Sequence, residues 1–287
     1  MILGVDIGGS HITVAQITPK GEVKNICRET VNSQGNINSI LTEWASGFDG
    51  YFREANKNLV QIGIAMPGPF TSEGVSKIKG QHKYDALYNL NIRQLLADKL
   101  GVPINAIKLN NDALCFLLGE MTKGKAHNYR RALGLTLGTG LGSAVYNGSE
   151  LIDANLWCTS FKTGIAEDYL STRWFIGRYH HYTGKLVSGV RELVSLLPNE
   201  PIVGTIFNEF GQNLADFITH IIENYQPDVI VMGGNITKQH HLFNDVVIEI
   251  LKGRSIDIPI EYTQLGEKAA LIGAASYWLP KYQNELS

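Results

Sequence analysis

Apolar positions at the start of the chain fall in strand-like runs cut by glycine. Met1 to Ile7 reads as a strand, breaks at Gly8-Gly9-Ser10, and resumes as His11 to Thr18. A Pro19-Lys20-Gly21-Glu22 turn precedes a third strand from Val23 to Thr30. The first glycine turn therefore joins two strands of a hairpin. The spacing then changes to three and four residues. Ile37, Ile40, Leu41, Trp44, Phe48, Tyr51, Phe52 and Ala55 mark one apolar face of a long helix, with its aromatics in the core. A strand from Leu59 to Ala65 ends in the loop Met66-Pro67-Gly68-Pro69, and a short helix spans Ile92 to Leu100. Ala106, Ile107 and Leu109 lead as a strand into Asn110-Asn111-Asp112, and Ala113, Leu114, Phe116, Leu117 and Leu118 leave it as a helix.

The second half opens in the same way. Arg131 to Leu137 is a strand, Gly138-Thr139-Gly140-Leu141-Gly142 a glycine turn, and Ser143 to Tyr146 the returning strand. The repetition predicts two related halves facing one another. Leu214, Phe217, Ile218, Ile221 and Ile222 mark a helix, and Asp228 to Met232 a buried strand ending in Gly233-Gly234-Asn235. A helix from Leu242 to Lys252, a strand from Ile256 to Tyr262 and a last helix from Glu267 to Trp278 follow.

Composition narrows the classes. With 287 residues, 44% hydrophobic and 18% charged, the chain has the make-up of a soluble globular protein of one large or two modest domains. A formal net charge of −2 gives no reason to expect nucleic acid or an anionic membrane as partner. The 3 cysteines (Cys27, Cys115, Cys158) are too scattered for a disulfide framework or a zinc pattern, which fits a reducing cytoplasm. No signal peptide and no apolar run long enough to span a membrane is present, so a cytoplasmic location is expected.

The junction at Asp112 draws the chemistry. A carboxylate where a strand meets a helix lies at the positive end of the helix dipole, which favours its ionised form. Beside Asn111 it has two readings: a helix cap, or a base that accepts a proton from a hydroxyl that the amide orients. The glycine turns also have two readings. Each is either a tight turn or a place where backbone N–H groups meet an anion. Because the first and second turns lead from strand to strand, neither the Walker loop nor the dinucleotide-binding fingerprint is present.

Asp6-Ile7-Gly8-Gly9-Ser10, Met66-Pro67-Gly68-Pro69, Asn111-Asp112-Ala113, Leu137-Gly138-Thr139-Gly140-Leu141-Gly142, Met232-Gly233-Gly234-Asn235 and Ala270-Leu271-Ile272-Gly273-Ala274-Ala275 stand in the order of the ROK (repressor, open reading frame, kinase) family. The chain resembles the sugar kinases of that family over nearly its whole length. The resemblance implies an α/β, actin-like ATPase (ribonuclease H-like) fold. Its two lobes, each a mixed sheet flanked by helices, would enclose a cleft for hexose and ATP. It implies a smaller lobe of residues 1–111 plus 272–287 and a larger one of 112–271. It further implies Gly8, Gly9 and Ser10 as one phosphate loop, with Ser10 where the family usually has Thr. Gly138, Thr139 and Gly140 would be the second. Asp6 would orient magnesium and its waters. Gly233, Gly234 and Asn235 would lie near the adenosine, Gly68 on the sugar side, and Asn111 on a sugar hydroxyl. Asp112 would be the base. ATP and Mg2+ are the implied cofactors, a small sugar and a nucleotide the partners, and a homodimer is an option.

The chain also departs from that family. Many members carry Glu-x-Gly-His and then a zinc cluster of cysteines. Here Leu156 stands for the Glu, Thr159 for the His, and Cys158 alone remains of the thiols, so no zinc site is expected. The pairs His180-His181 and His240-His241 read as solvent-facing loops. Gly164-Ile165-Ala166-Glu167-Asp168-Tyr169-Leu170-Ser171 resembles the end of the cluster, which would make Glu167 a sugar ligand. Its other reading is a first-turn helix acid. Trp157 reads as core or as a sugar-packing face, and Lys79, Gln81 and His82 as further sugar contacts. The implied reaction is ATP-dependent phosphorylation of a hexose, glucose or a relative, at the C6 hydroxyl. The alternative is a sugar-binding sensor with weak catalysis. A DNA-binding repressor would need a domain before Met1 and a more basic chain.

Overall fold

The computed structural model describes residues 1–52, 57–80 and 83–279. Ala55, Gln81, His82 and the chain from Pro280 onward lie outside them. In chain order the elements are β1 (Ile2–Ile7), β2 (His11–Ile17), β3 (Val23–Thr30), α1 (Ile37–Ser46), α2 (Asp49–Phe52), β4 (Gln61–Met66), α3 (Ile92–Leu100), β5 (Ile107–Asn111) and α4 (Asp112–Lys123). Then come β6 (Ala132–Leu137), β7 (Leu141–Tyr146), β8 (Leu151–Asp153), β9 (Ser160–Phe161), β10 (Gly164–Ile165), α5 (Ala166–Tyr169), α6 (Thr172–Thr183), α7 (Val190–Leu196) and α8 (Ile202–Tyr225). Last are β11 (Val229–Gly233), α9 (Asn244–Gly253), β12 (Ile260–Tyr262) and α10 (Lys268–Ser276). The chain divides into two compact units, Met1–His127 with Glu267–Ser287, and Asn128–Gly266. The helix Asp112–Lys123, assigned from sequence to the second lobe, belongs to the first unit, where it packs against α10.

In the first unit the sheet order is β3-β2-β1-β4-β5. β1 pairs antiparallel with β2 and parallel with β4, and β4 parallel with β5 as far as Met66 opposite Asn111. One face of β1 sends Leu3, Val5 and Ile7 into a core with Trp44, Phe48, Ile92 and Leu96. On the other face Gly4 and Gly63 leave room for the backbone of α10, since a methyl on either would overlap a carbonyl oxygen of that helix, Leu271 or Ala274. Gly273 of α10 presses in the same way on the carbonyl of Cys115 in α4. Asp6 shares the face of Gly4, because side chains alternate along a strand.

The long helix read from Ile37 onward is in fact two. α1 ends at Gly47, where the bare backbone fits against Val14 and Ile12 of the sheet, and Phe48 turns into the core. α1 opens on an Asn36 cap that accepts from the Ser39 N–H, and α3 on an Asn91 cap that accepts from Gln94.

In the second unit the order β12-β11-β6-β7-β8 repeats the first sheet, antiparallel on the β7 side and parallel on the β11 side. α8, 24 residues long, runs through its core, with Phe207, Phe210 and Phe217 buried beside Phe175 and Phe243. The helix read around Leu214 is its middle. The strand read from Ile256 begins only at Ile260, after Pro259, because Ile256 and Ile258 pack on the core without pairing. His180 and His181 lie in the last turn of α6, and His240 and His241 in a 3-10 helix, so both pairs are exposed but not in loops. Among the described residues no helix is long and apolar enough to cross a membrane.

Candidate active site

The parallel strands of the first unit end together, and the predicted residues gather at their carboxyl ends. Asp6 is one residue from the end of β1, Gly68 follows β4, and Asn111 ends β5 with Asp112 directly after it. This is where open α/β sheets hold ligands. A Cβ on Gly68 would stand 3.3 Å from the Asn111 amide nitrogen, so these two residues abut. Asn111 is the cap of α4, its side-chain oxygen accepting from the Ala113 N–H at 2.8 Å. One oxygen of Asp112 accepts from the same N–H at 2.8 Å. Asn111 is the cap residue of α4, and Asp112, half-buried in the first turn, shares the N–H that it caps.

Asp6 sits in a field of like charge. Its carboxyl is pushed up to about 7 by burial first, then by Asp112 and Glu267, with Arg28 opposing. Negative charge crowded on hard oxygen donors is relieved by a divalent cation. No group of three or more His, Cys, Asp or Glu side chains that could hold a metal occurs among the described residues. Asp6 and Asp112 supply carboxylate oxygens, the hard donors that magnesium takes.

The two glycine turns share a pattern of donors. In the first, the Gly8 N–H bonds the His11 carbonyl at 2.9 Å; in the second, the Gly138 N–H bonds the Gly140 carbonyl at 3.0 Å. The N–H groups of Gly9 and Ser10, and of Thr139 and Gly140, have no backbone acceptor among the described residues. Each turn therefore offers paired open donors of the kind that cradle phosphate. In the second unit Gly234, at φ +93°, lies so close to Leu137 that a side chain there would overlap the Leu137 carbonyl. The loops after β6 and β11 are thus in contact, with Gly233 opposite Thr136 in the ladder and Asn235 exposed beyond it.

Several side chains that fix these turns escaped the sequence reading. The Tyr84 hydroxyl donates to the Gly8 carbonyl at 2.5 Å, and the Lys83 stem lies 3.9 Å from where a Gly9 Cβ would be. The Gly138 carbonyl accepts from both the N–H and the hydroxyl of Thr172, at 2.8 and 2.9 Å. Glu167 accepts from the Leu141 N–H at 3.0 Å with one oxygen and from Arg173 at 2.6 Å with the other, and its carboxylate fills the space that a side chain on Gly140 would need. No periodicity or motif marks Lys83, Tyr84, Thr172 or Arg173, which the fold alone brings to the turns; Glu167 stood out in the sequence as a sugar ligand or a helix acid, but its bonds to the second turn did not. Trp157 is 45% exposed, so it is not core. Leu156 is buried, and Lys79 sets its ammonium over the Tyr88 ring at 5.1 Å.

Two sheets of one repeated order, each with a glycine turn between its first two strands, define an α/β protein of the actin-like ATPase fold. The ROK family model matches residues 2–155 and 149–281, and the chain belongs to the ROK family. It is 24% identical to a β-glucoside kinase of Listeria innocua over 298 aligned positions, covering 97% of each chain. It is 27% identical to an N-acetyl-D-glucosamine kinase of Haemophilus influenzae, covering 98% of this chain and all (100%) of that one. The crystal structure of a ROK family glucokinase from Streptomyces griseus, in complex with glucose and AMPPNP, superposes with a TM-score of 0.78 at 18% identity, covering 96% of this chain and 98% of that one.

Proposed function

We propose that the protein transfers the terminal phosphoryl group of ATP to a hydroxyl of a sugar. The carrying observation is the gathering of Asp6, Gly68, Asn111 and Asp112 at the carboxyl ends of β1, β4 and β5, beside a turn with open N–H donors. Asn111 and Gly68 bound the sugar. Asp112 accepts the proton of the attacking hydroxyl as its oxygen bonds to phosphorus, and ADP leaves with the electrons of the broken P–O bond. Gly8, Gly9 and Ser10, with Gly138, Thr139 and Gly140, bind the phosphates, and Gly233, Gly234 and Asn235 border the adenosine. Asp6 would orient magnesium and its waters, and the ion would supply charge neutralisation at the phosphates.

Glu167 still has acceptor capacity, since a carboxylate offers about four lone-pair sites and two are used by Leu141 and Arg173. It can take a sugar hydroxyl while holding the second turn. The relatives named as β-glucoside and N-acetyl-D-glucosamine kinases support a sugar substrate, and the C6 hydroxyl as acceptor rests on the family resemblance. A homodimer rests on the family resemblance alone, and a cytoplasmic location on the scattered Cys27, Cys115 and Cys158. The test is Asp112→Asn. The variant should keep sugar binding and lose at least about 100-fold in turnover. Turnover near that of the wild type removes Asp112 from the role, and a wild type that binds both ligands without turnover is a sensor.

A further inference from the structure

Four side chains from three stretches of the chain meet at the first glycine turn in a single file of hydrogen bonds. The Ser10 hydroxyl lies 3.1 Å from His11 Nδ1, and His11 Nε2 lies 2.9 Å from an Arg28 nitrogen. The other terminal nitrogen of Arg28 donates to Glu267 at 2.9 Å, just before α10. Ser10 ends the turn, His11 opens β2, and Arg28 comes from β3.

The direction of every proton in this file is set by one group. A guanidinium has donors and no acceptor. His11 Nε2 must therefore accept, and the proton of the neutral ring must sit on Nδ1. Burial and the Arg28 charge hold His11 below the usual histidine range, against the pull of Glu267, in keeping with that neutral form. The Nδ1–H then donates to the Ser10 oxygen, which leaves the serine's own proton to donate to another acceptor. Serine has no β-branch to restrict its side-chain rotation, so this bond does what a methyl group would otherwise do. Arg28 and Glu267 are 50% and 54% exposed, so their ion pair adds little to stability. What the file supplies is orientation.

We propose that His11, Arg28 and Glu267 are positioning residues that turn the Ser10 hydroxyl into a donor aimed at a phosphate oxygen of the nucleotide. The phosphate rests on the function proposed above; the proton order does not. Two readouts keep them apart. Nitrogen-15 NMR of the His11 ring in the ligand-free protein should show the Nδ1–H tautomer at neutral pH, and the Nε2–H tautomer would overturn the file of bonds whatever the protein binds. Calorimetry should show ATP binding weakened about five- to tenfold in His11→Ala, the worth of one lost hydrogen bond, with sugar affinity unmoved. Adding Ser10→Thr to His11→Ala should restore most of that loss, because the β-branch fixes the hydroxyl again. ATP affinity within twofold of the wild type in His11→Ala, or no recovery in the double variant, would overturn the positioning role. A wild type that fails to bind ATP would overturn the phosphate as ligand and leave the tautomer to decide the rest.

Discussion

Asp6 is held in an environment built against its charge. In the folded chain its carboxyl keeps its proton up to about pH 7, against 3.8 for the free side chain. The folded state thus binds this proton more tightly than the unfolded one. Its contribution to stability is full below the unfolded value and is lost as pH rises toward 7. In the magnesium-free protein, Asp6→Asn should therefore raise the Tm by several degrees at pH 8 and by less at pH 5. Equal gains at the two pH values in thermal melts would contradict the burial account. Glu167 gives a second prediction at this scale. Glu167→Gln should raise the sugar KM, as expected of a group that holds a sugar hydroxyl. An unchanged sugar KM with a raised ATP KM would leave Glu167 with the second turn only. Of the residues at issue, Asp112 stood out in the sequence by its strand-to-helix junction and the turn glycines by their punctuation, while Asp6 entered only through the family resemblance. His11, Arg28 and Glu267 were not. Arg28 and Glu267 stand 239 positions apart, and nothing local in either stretch signals the other.

At the scale of elements, close approach decides what can change. α10 lies on the sheet and on α4 through bare backbone, and a methyl on Gly273 would meet the Cys115 carbonyl rather than a side chain that could yield. Gly273→Ala should cost at least the upper end of the usual overpacking range, about 3 kcal/mol, measured by urea denaturation. A cost under about 1 kcal/mol would mean that α10 and α4 can part freely. The first three strands read well in the sequence, since alternation and glycine breaks give both their period and their ends. The helices read less well. Gly47 ends α1 for the sake of a contact with Val14, which no spacing on the helix reveals. α6 mixes Trp174, Phe175 and Tyr179 with Gly177 and two histidines, so its apolar stripe is narrow. The early part of α8 buries Val203, Ile206, Phe207 and Phe210 at helical spacing, so the stripe read at Leu214 begins well before it.

For the molecule as a whole, the repeat is the most informative feature. β3-β2-β1-β4-β5 and β8-β7-β6-β11-β12 have one order and one pattern of directions, and each places a glycine turn between its central strand and the neighbouring antiparallel strand. The similar openings at Asp6 and Arg131 made that repeat legible before any coordinates. The position of α4 was not, because the change from strand to helix at Asp112 looks like a border in sequence while the helix packs back within the first unit. The account stands on one reaction, and it is tested by ADP formation from magnesium ATP over a panel of glucose, mannose, N-acetylhexosamines and β-glucosides, with Asp112→Asn beside the wild type. Turnover on at least one of these sugars, lowered at least about 100-fold in the variant, is the expected result. Turnover that survives in the variant, or a wild type that forms no ADP with any sugar, would contradict it.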